Sequence, residues 1–110
     1  MRPVRADAAQ LEQALVNLLR NAHESGSPAS EVRLRVTRVA NATAIEVSDR
    51  GGGMNEAVLS NALLPFYSTK RGGTGLGLAL VREIAEAHGG RVSLANRDGG
   101  GVSVTLVLPP

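Results

Sequence analysis

The sequence predicts a two-layer α+β sandwich, with a mixed, mainly antiparallel sheet covered on one face by about three helices. Three observations carry that expectation. Apolar residues recur with helical spacing in two long segments and alternate in four short ones. The elements follow one another as helix, strand, strand, helix, helix, strand, strand. At 110 residues the chain suffices for one core and not for two, so residues 1–110 read as a single domain.

Residues 2–5 form a short, extended entry. Asp7 then starts a helix, because an acidic N-cap with Gln10 three positions later makes a capping box. Leu11, Ala14, Leu15, Leu18, Leu19 and Ala22 supply the apolar stripe. Ser25-Gly26-Ser27-Pro28 ends the helix. Val32, Leu34 and Val36 alternate with Arg33, Arg35 and Thr37, which predicts a strand with one buried face. A turn at Asn41-Ala42 leads into a second strand over residues 44–49, where Asp49 has the parity of Ile45 and Val47 and so points toward the core side. Three glycines from Gly51 to Gly53 break the chain, and a short helix follows over residues 55–62. Residues 65–73 lack a period and read as a loop. The second long helix runs from about Leu76 to His88, with Leu76, Leu80 and Ile84 on one face, and Gly89-Gly90 stops it. Strands over residues 91–95 and 102–108, joined by a turn at residues 96–100, close the domain.

Composition narrows the function. Hydrophobic content is 43%, ordinary for a globular domain, while the single Phe and single Tyr leave the core to aliphatic residues. Net charge is +2, and eleven of the twelve basic residues are dispersed arginines, without the basic stripe and stacking aromatics that nucleic-acid binding uses. Cysteine is absent, and the two separated histidines make no metal site. His23 and His88 read as structural, His88 through the welcome a helix end gives a positive charge. No apolar run has membrane-spanning length and no signal peptide is visible, so a cytoplasmic domain without direct membrane contact is expected.

Residues 72–78, Gly-Gly-Thr-Gly-Leu-Gly-Leu, carry the first chemical hint. Alternating glycines just before a helix uncover backbone N–H groups where the helix dipole is positive, which suits an anion such as phosphate. The spacing fits neither the dinucleotide fingerprint nor the P-loop. Taken alone, the stretch is compatible with a phosphate seat or with a plain flexible loop. Asn17 and Asn21 share one stripe of the first helix and Glu24 continues it, which describes either a solvated face or, since an amide oxygen can ligate a hard cation, a site for Mg²⁺. Asp49 before the glycines is either a cap or an acceptor for a ligand donor, since an unpaired core-facing carboxylate is costly. Lys70, the only lysine, is a candidate phosphate contact with a solvated loop residue as its plain alternative.

These pieces in this order resemble the ATP-binding catalytic domain of sensor histidine kinases, a superfamily shared with gyrase and the heat-shock chaperone ATPases. LEQALVNLLRNAHE (residues 11–24) looks like its N box and DRGGGM (49–54) like its first glycine box. LPFYSTK (64–70) looks like its F box and GGTGLGL (72–78) like its second glycine box. The closing segment EAHGGRVSLANRDGGGVSVTLVLP also matches, and the wording from Pro65 to Leu78 looks closest to the nitrogen-regulation branch. One departure is Val104, where the family has an aromatic on the last strand.

The resemblance implies a Bergerat-type fold, ATP and Mg²⁺ as cofactors, and a set of contacts. Asp49 would accept from the adenine amino group in a pocket shaped by Gly51 and Gly53. Asn21 would ligate Mg²⁺, with Asn17 beside it and Glu24 one turn on. Gly73, Thr74, Gly75, Leu76 and Gly77 would meet the phosphates. Phe66, Thr69, Lys70 and Arg71 belong to an ATP lid over about residues 59–72, and Lys70 joins Asn17 and Asn21 as catalytic. In the related ATPases the position of Asn17 is a Glu that activates water. An amide cannot act as a general base, so the implied chemistry is phosphoryl transfer to a histidine and not hydrolysis. That histidine would lie on a separate dimerisation domain, with a response regulator further downstream, so the chain is expected to be a monomeric catalytic piece of a larger kinase. A nucleotide-sensing module without catalysis and a serine-directed anti-sigma-factor-type kinase are the competing readings.

Overall fold

A computed structural model describes residues 7–64 and 77–110. The elements run α1 (Ala8–Glu24), a short 3₁₀ turn (Ala29–Glu31), β1 (Arg33–Val39), β2 (Ala42–Ser48), α2 (Glu56–Asn61), α3 (Gly77–Ala87), β3 (Arg91–Asn96) and β4 (Val102–Leu108). The sheet order is β1-β2-β4-β3, and every neighbouring pair is antiparallel. The expected sheet was mixed; among the described strands no parallel pair occurs. The reason is topological: β3 runs in the direction of β2, but β4 folds back and takes the position between them.

Local chemistry sets the element ends. Asp7 Oδ1 accepts the Gln10 N–H at 3.0 Å, the expected N-cap of α1. The Asp7 N–H donates to His88 Nε2 at 3.0 Å. His88 Nδ1 lies 2.7 Å from the Ile84 carbonyl oxygen, so Nδ1 is the donor and Nε2 keeps its lone pair. His88 is structural, as expected, but through a neutral ring that ties the start of α1 to the end of α3. Asn55 caps α2 by accepting the Val58 N–H at 2.9 Å. The first hairpin turns at Ala40-Asn41, one residue earlier than expected, and both residues have positive φ (51° and 70°). Such a pair matches the twist of a two-residue hairpin, and Asn tolerates that region well.

The core lies between the sheet and the α1–α3 pair. Ala14, Leu18 and Ala22 of α1 meet Leu78, Val81, Ile84 and Ala85 of α3, and both helices rest on Ile45, Val47, Val102, Val104, Leu106 and Leu108. Leu18, Leu106, Leu108, Val47 and Val81 are the largest fully buried side chains, each worth about 1.5–3 kcal/mol of burial. Strand β1 departs from expectation. Its alternation predicts a buried face, yet Leu34 and Val36 remain 48% and 58% exposed. They pair with the buried Val47 and Ile45 and so point to the helix side, but β1 is the sheet edge and α1 lies over β2. The opposite sheet face carries Arg33, Arg35, Glu46, Ser48 and Ser103 along a depression of about 670 Å³ that Arg97 also lines. Among the described residues no helix is long and apolar enough to cross a membrane.

Candidate functional site

The candidate site lies along α1, with the glycine loop after β2 at its C-terminal end and the first residue of α3 against its middle. At the end of β2, Asp49 keeps the core-facing parity of Ile45 and Val47 and is 2% exposed. Its carboxylate is not left bare: Oδ1 accepts the N–H of Gly51 at 2.9 Å and that of Val102 at 3.2 Å. Its backbone N–H donates to the Val102 carbonyl at 3.0 Å, extending the sheet by one bond past β2. The geometry shows the cap reading of Asp49 directly. It caps the glycine turn, and it is a desolvated carboxylate at a loop rich in glycine.

That loop is wedged between the exit of α1 and the β3–β4 connection. A Cβ on Gly51 would collide with the hydroxyl and carbonyl oxygens of Ser25, so only glycine lets the loop lie against the helix end. The Arg50 N–H donates to Ser27 Oγ at 2.9 Å, and the Gly52 N–H reaches the Ser25 carbonyl at 3.4 Å. On the other flank, Gly101 has φ +98°, and a Cβ there would fall onto the Asp49 carbonyl oxygen. The Asn96 side chain brackets Met54, accepting its N–H at 2.8 Å and donating to its carbonyl. Arg50 Nη1 donates to the carbonyls of Asp98 and Gly100 at 2.6 and 3.0 Å, while Arg97 Nη1 donates to that of Asp49 at 2.9 Å.

The middle of α1 meets the start of α3. Asn17 is buried, and its Nδ2 donates to the Gly77 carbonyl at 3.4 Å while Oδ1 accepts from Gln13 Nε2 at 3.3 Å. Asn21 follows one turn later and is half-buried; Glu24 lies exposed at the helix end. The structure thus joins Asn17 to Gly77 and Asp49 to Gly51, sets Gly51 against Ser25 at the end of α1 and Gly53 near Asn96, and leaves Asn21 and Glu24 on α1 between Asn17 and Ser25. Phe66, Thr69, Lys70, Arg71, Gly73, Thr74, Gly75 and Leu76, with most of the expected lid, lie outside the described residues. Sequence reasoning missed Ser25, Ser27, Asn96, Arg97 and Gly101. They read as helix-stop and turn formers, and no spacing rule connects them to Asp49. Among the described residues no group of three or more His, Cys, Asp or Glu side chains is placed to hold a metal ion.

Comparison with known proteins places this arrangement. The family described as histidine kinase-, DNA gyrase B-, and HSP90-like ATPase matches residues 6–110. The C4-dicarboxylate transport sensor protein DctS of Rhodobacter capsulatus is 42% identical over 110 residues, covering 96% of this chain and 17% of that protein. The nucleotide-free catalytic domain of histidine kinase ThkA is 32% identical with a TM-score of 0.86, covering 96% of this chain and 70% of that one. Full-length ShkA, crystallised with AMPPNP, is 27% identical with a TM-score of 0.84, covering 99% of this chain and 23% of that one. The chain thus spans less than a quarter of the full-length relatives. With residues 6–110 matched and the fold shared with a histidine kinase catalytic domain, the chain belongs to the histidine kinase-, DNA gyrase B- and HSP90-like ATPase family, as an ATP-binding domain of the sensor histidine kinase type.

Proposed function

We propose that this domain binds Mg-ATP and holds the γ-phosphoryl group for transfer to a histidine on a separate helical domain of its parent, in cytoplasmic two-component signalling that ends at a response regulator. The observation that carries the proposal is the buried Asp49 carboxylate at one end of α1, with Asn17 and Asn21 on the same helix and Asn17 joined to the first residue of α3. Ideal helix rise puts roughly 12 Å between Asn17 and Ser25, which a base, a sugar and a phosphate chain can span.

With Oδ1 held by two N–H groups, Asp49 Oδ2 would accept the adenine amino group. Gly51 and Gly53 would leave the backbone open to the flat ring. The N–H groups at the start of α3 would take phosphate oxygens, together with those of Gly73, Thr74, Gly75, Leu76 and Gly77. Phe66, Thr69, Lys70 and Arg71 would complete the pocket, with the Lys70 ammonium on the β- or γ-phosphate. Asn21 fits Mg²⁺: one hard amide oxygen suffices for an ion that takes its other ligands from phosphate and water. Bound there, Mg²⁺ would neutralise charge on the transferring group. Asn17, with its amide bonded to Gln13 and Gly77, has no lone pair basic enough to activate water, which favours transfer over hydrolysis. ShkA, similar along 99% of this chain, binds AMPPNP, which supports the nucleotide assignment.

Calorimetric titration with a non-hydrolysable ATP analogue tests the proposal. Binding that requires Mg²⁺ and weakens about 30-fold in Asp49→Asn, roughly 2 kcal/mol, is expected. A folded wild-type domain that binds no nucleotide refutes it.

A further inference from the structure

The peptide group joining Asp49 to Arg50 is gripped at both ends by side chains distant in sequence. Its carbonyl oxygen accepts from Arg97 Nη1 at 2.9 Å, across 48 residues. Its N–H donates to Ser27 Oγ at 2.9 Å, across 23 residues. Ser27 is buried and Arg97 half-buried, so both bonds are partly withdrawn from water. Ser27 belongs to the exit of α1, Arg97 to the β3–β4 connection, and neither lies in the segments that would touch nucleotide.

We infer that Arg97 is a positioning residue for base recognition: through the Asp49 carbonyl it sets the plane of this peptide group, and with Ser27 it aims the Asp49 carboxylate at adenine. The inference rests on the reading of Asp49 as the adenine acceptor. The mechanical link is short. Gly51 N–H, one peptide further on, is one of the two donors on Asp49 Oδ1. Rocking the Asp49–Arg50 plane moves Gly51, and the carboxylate then pivots on its remaining bond to Val102. A peptide plane held at one end can rock; held at both, it cannot. A cationic donor on a carbonyl is the stronger kind of hydrogen bond, which suits the anchor that comes from the more distant hairpin.

The competing account is that Arg97 only glues the hairpin to the loop. Arg50 provides the control, because its guanidinium also joins loop to hairpin, through the Asp98 and Gly100 carbonyls, without gripping the Asp49–Arg50 peptide group. The test is calorimetry with non-hydrolysable ATP and GTP analogues, beside thermal unfolding, on the wild type, Arg97→Ala, Arg97→Lys, Arg50→Ala and Asp49→Asn. Guanine presents an acceptor where adenine presents its amino group, so a well-aimed carboxylate favours ATP. Arg97→Ala is expected to weaken the ATP analogue about 10-fold, 1.4 kcal/mol, and to leave the GTP analogue unchanged, narrowing the adenine preference. Arg97→Lys recovers part of it, since an ammonium can donate to the same carbonyl. Arg50→Ala lowers the unfolding temperature and keeps the preference.

Equal weakening of both nucleotides by Arg97→Ala, or a preference narrowed as much by Arg50→Ala, overturns the inference and leaves Arg97 as glue. Should Arg97→Ala not fold, the ratio of the two affinities is read in Arg97→Lys and Ser27→Ala instead: a narrowed adenine preference supports the inference, and an unchanged one overturns it. Asp49→Asn losing the preference while the Arg97 variants keep it overturns this inference alone. A wild type without adenine preference, or one that retains it in Asp49→Asn, overturns the reading of Asp49 as well.

Discussion

The two ends of the candidate site are built in different ways. Around Asp49, bonds arrive from the exit of α1, from the β3–β4 connection and from β4, spanning 23 to 53 residues of sequence. Around Asn17, among the described residues, the bond that crosses to another element is the one to the Gly77 carbonyl at 3.4 Å, long for an N–H···O contact. The carboxylate end is therefore part of the folded core, and its geometry is set before any ligand arrives. The amide end sits on the flank of one helix against the first residue of another. If the proposed function holds, the Asp49 end would be preorganised for its ligand, since bonds from three parts of the fold fix it.

Three substitutions put that contrast to the test. The largest effect is expected from Gly101→Ala, whose Cβ would strike the Asp49 carbonyl oxygen from a backbone with φ +98°. It should cost about 4 kcal/mol in urea denaturation, as strain and overlap combine; a loss below about 1 kcal/mol would mean that the carboxylate end yields as readily as the other. Asn17→Ala removes two long hydrogen bonds and should cost about 1 kcal/mol of stability in the same assay. Its effect on Mg-nucleotide affinity, read by calorimetry, should exceed its effect on stability. Smallest is Val36→Thr on the exposed part of β1, expected to stay within about 0.5 kcal/mol of wild type by thermal unfolding. A loss of about 2 kcal/mol there would show that the sheet edge is covered in solution.

Much of this architecture is legible in the residues because it is local. The stripe from Leu11 to Ala22 and the alternation from Val102 to Leu108 each depend on neighbours within a few positions, and both elements form where that period predicts. Parity alone places Asp49 on the core side. β1 shows the limit: alternation says which face Leu34 and Val36 share, but only the placement of α1 decides whether anything covers it. The clamp on Asp49 is hidden from sequence for the same reason. Ser27 reads as part of a helix stop and Arg97 as a turn residue, and their significance lies in partners 23 and 48 residues away. His88 is legible as a structural residue but not as an acceptor, since its partner is the N–H of Asp7.

The position of β4 bears on how the protein is made. The last of the described strands is an inner strand of the sheet, and Val102 supplies both a donor and an acceptor to Asp49. A ribosome that has released everything up to the β3–β4 connection has produced β2 and β3 with unpaired inner edges and an Asp49 without its Val102 contacts. Long-range pairing of this kind closes late and slowly. The nascent chain therefore cannot complete the contacts of Asp49 until β4 emerges, and until then it carries open strand edges of the sort that chaperones guard.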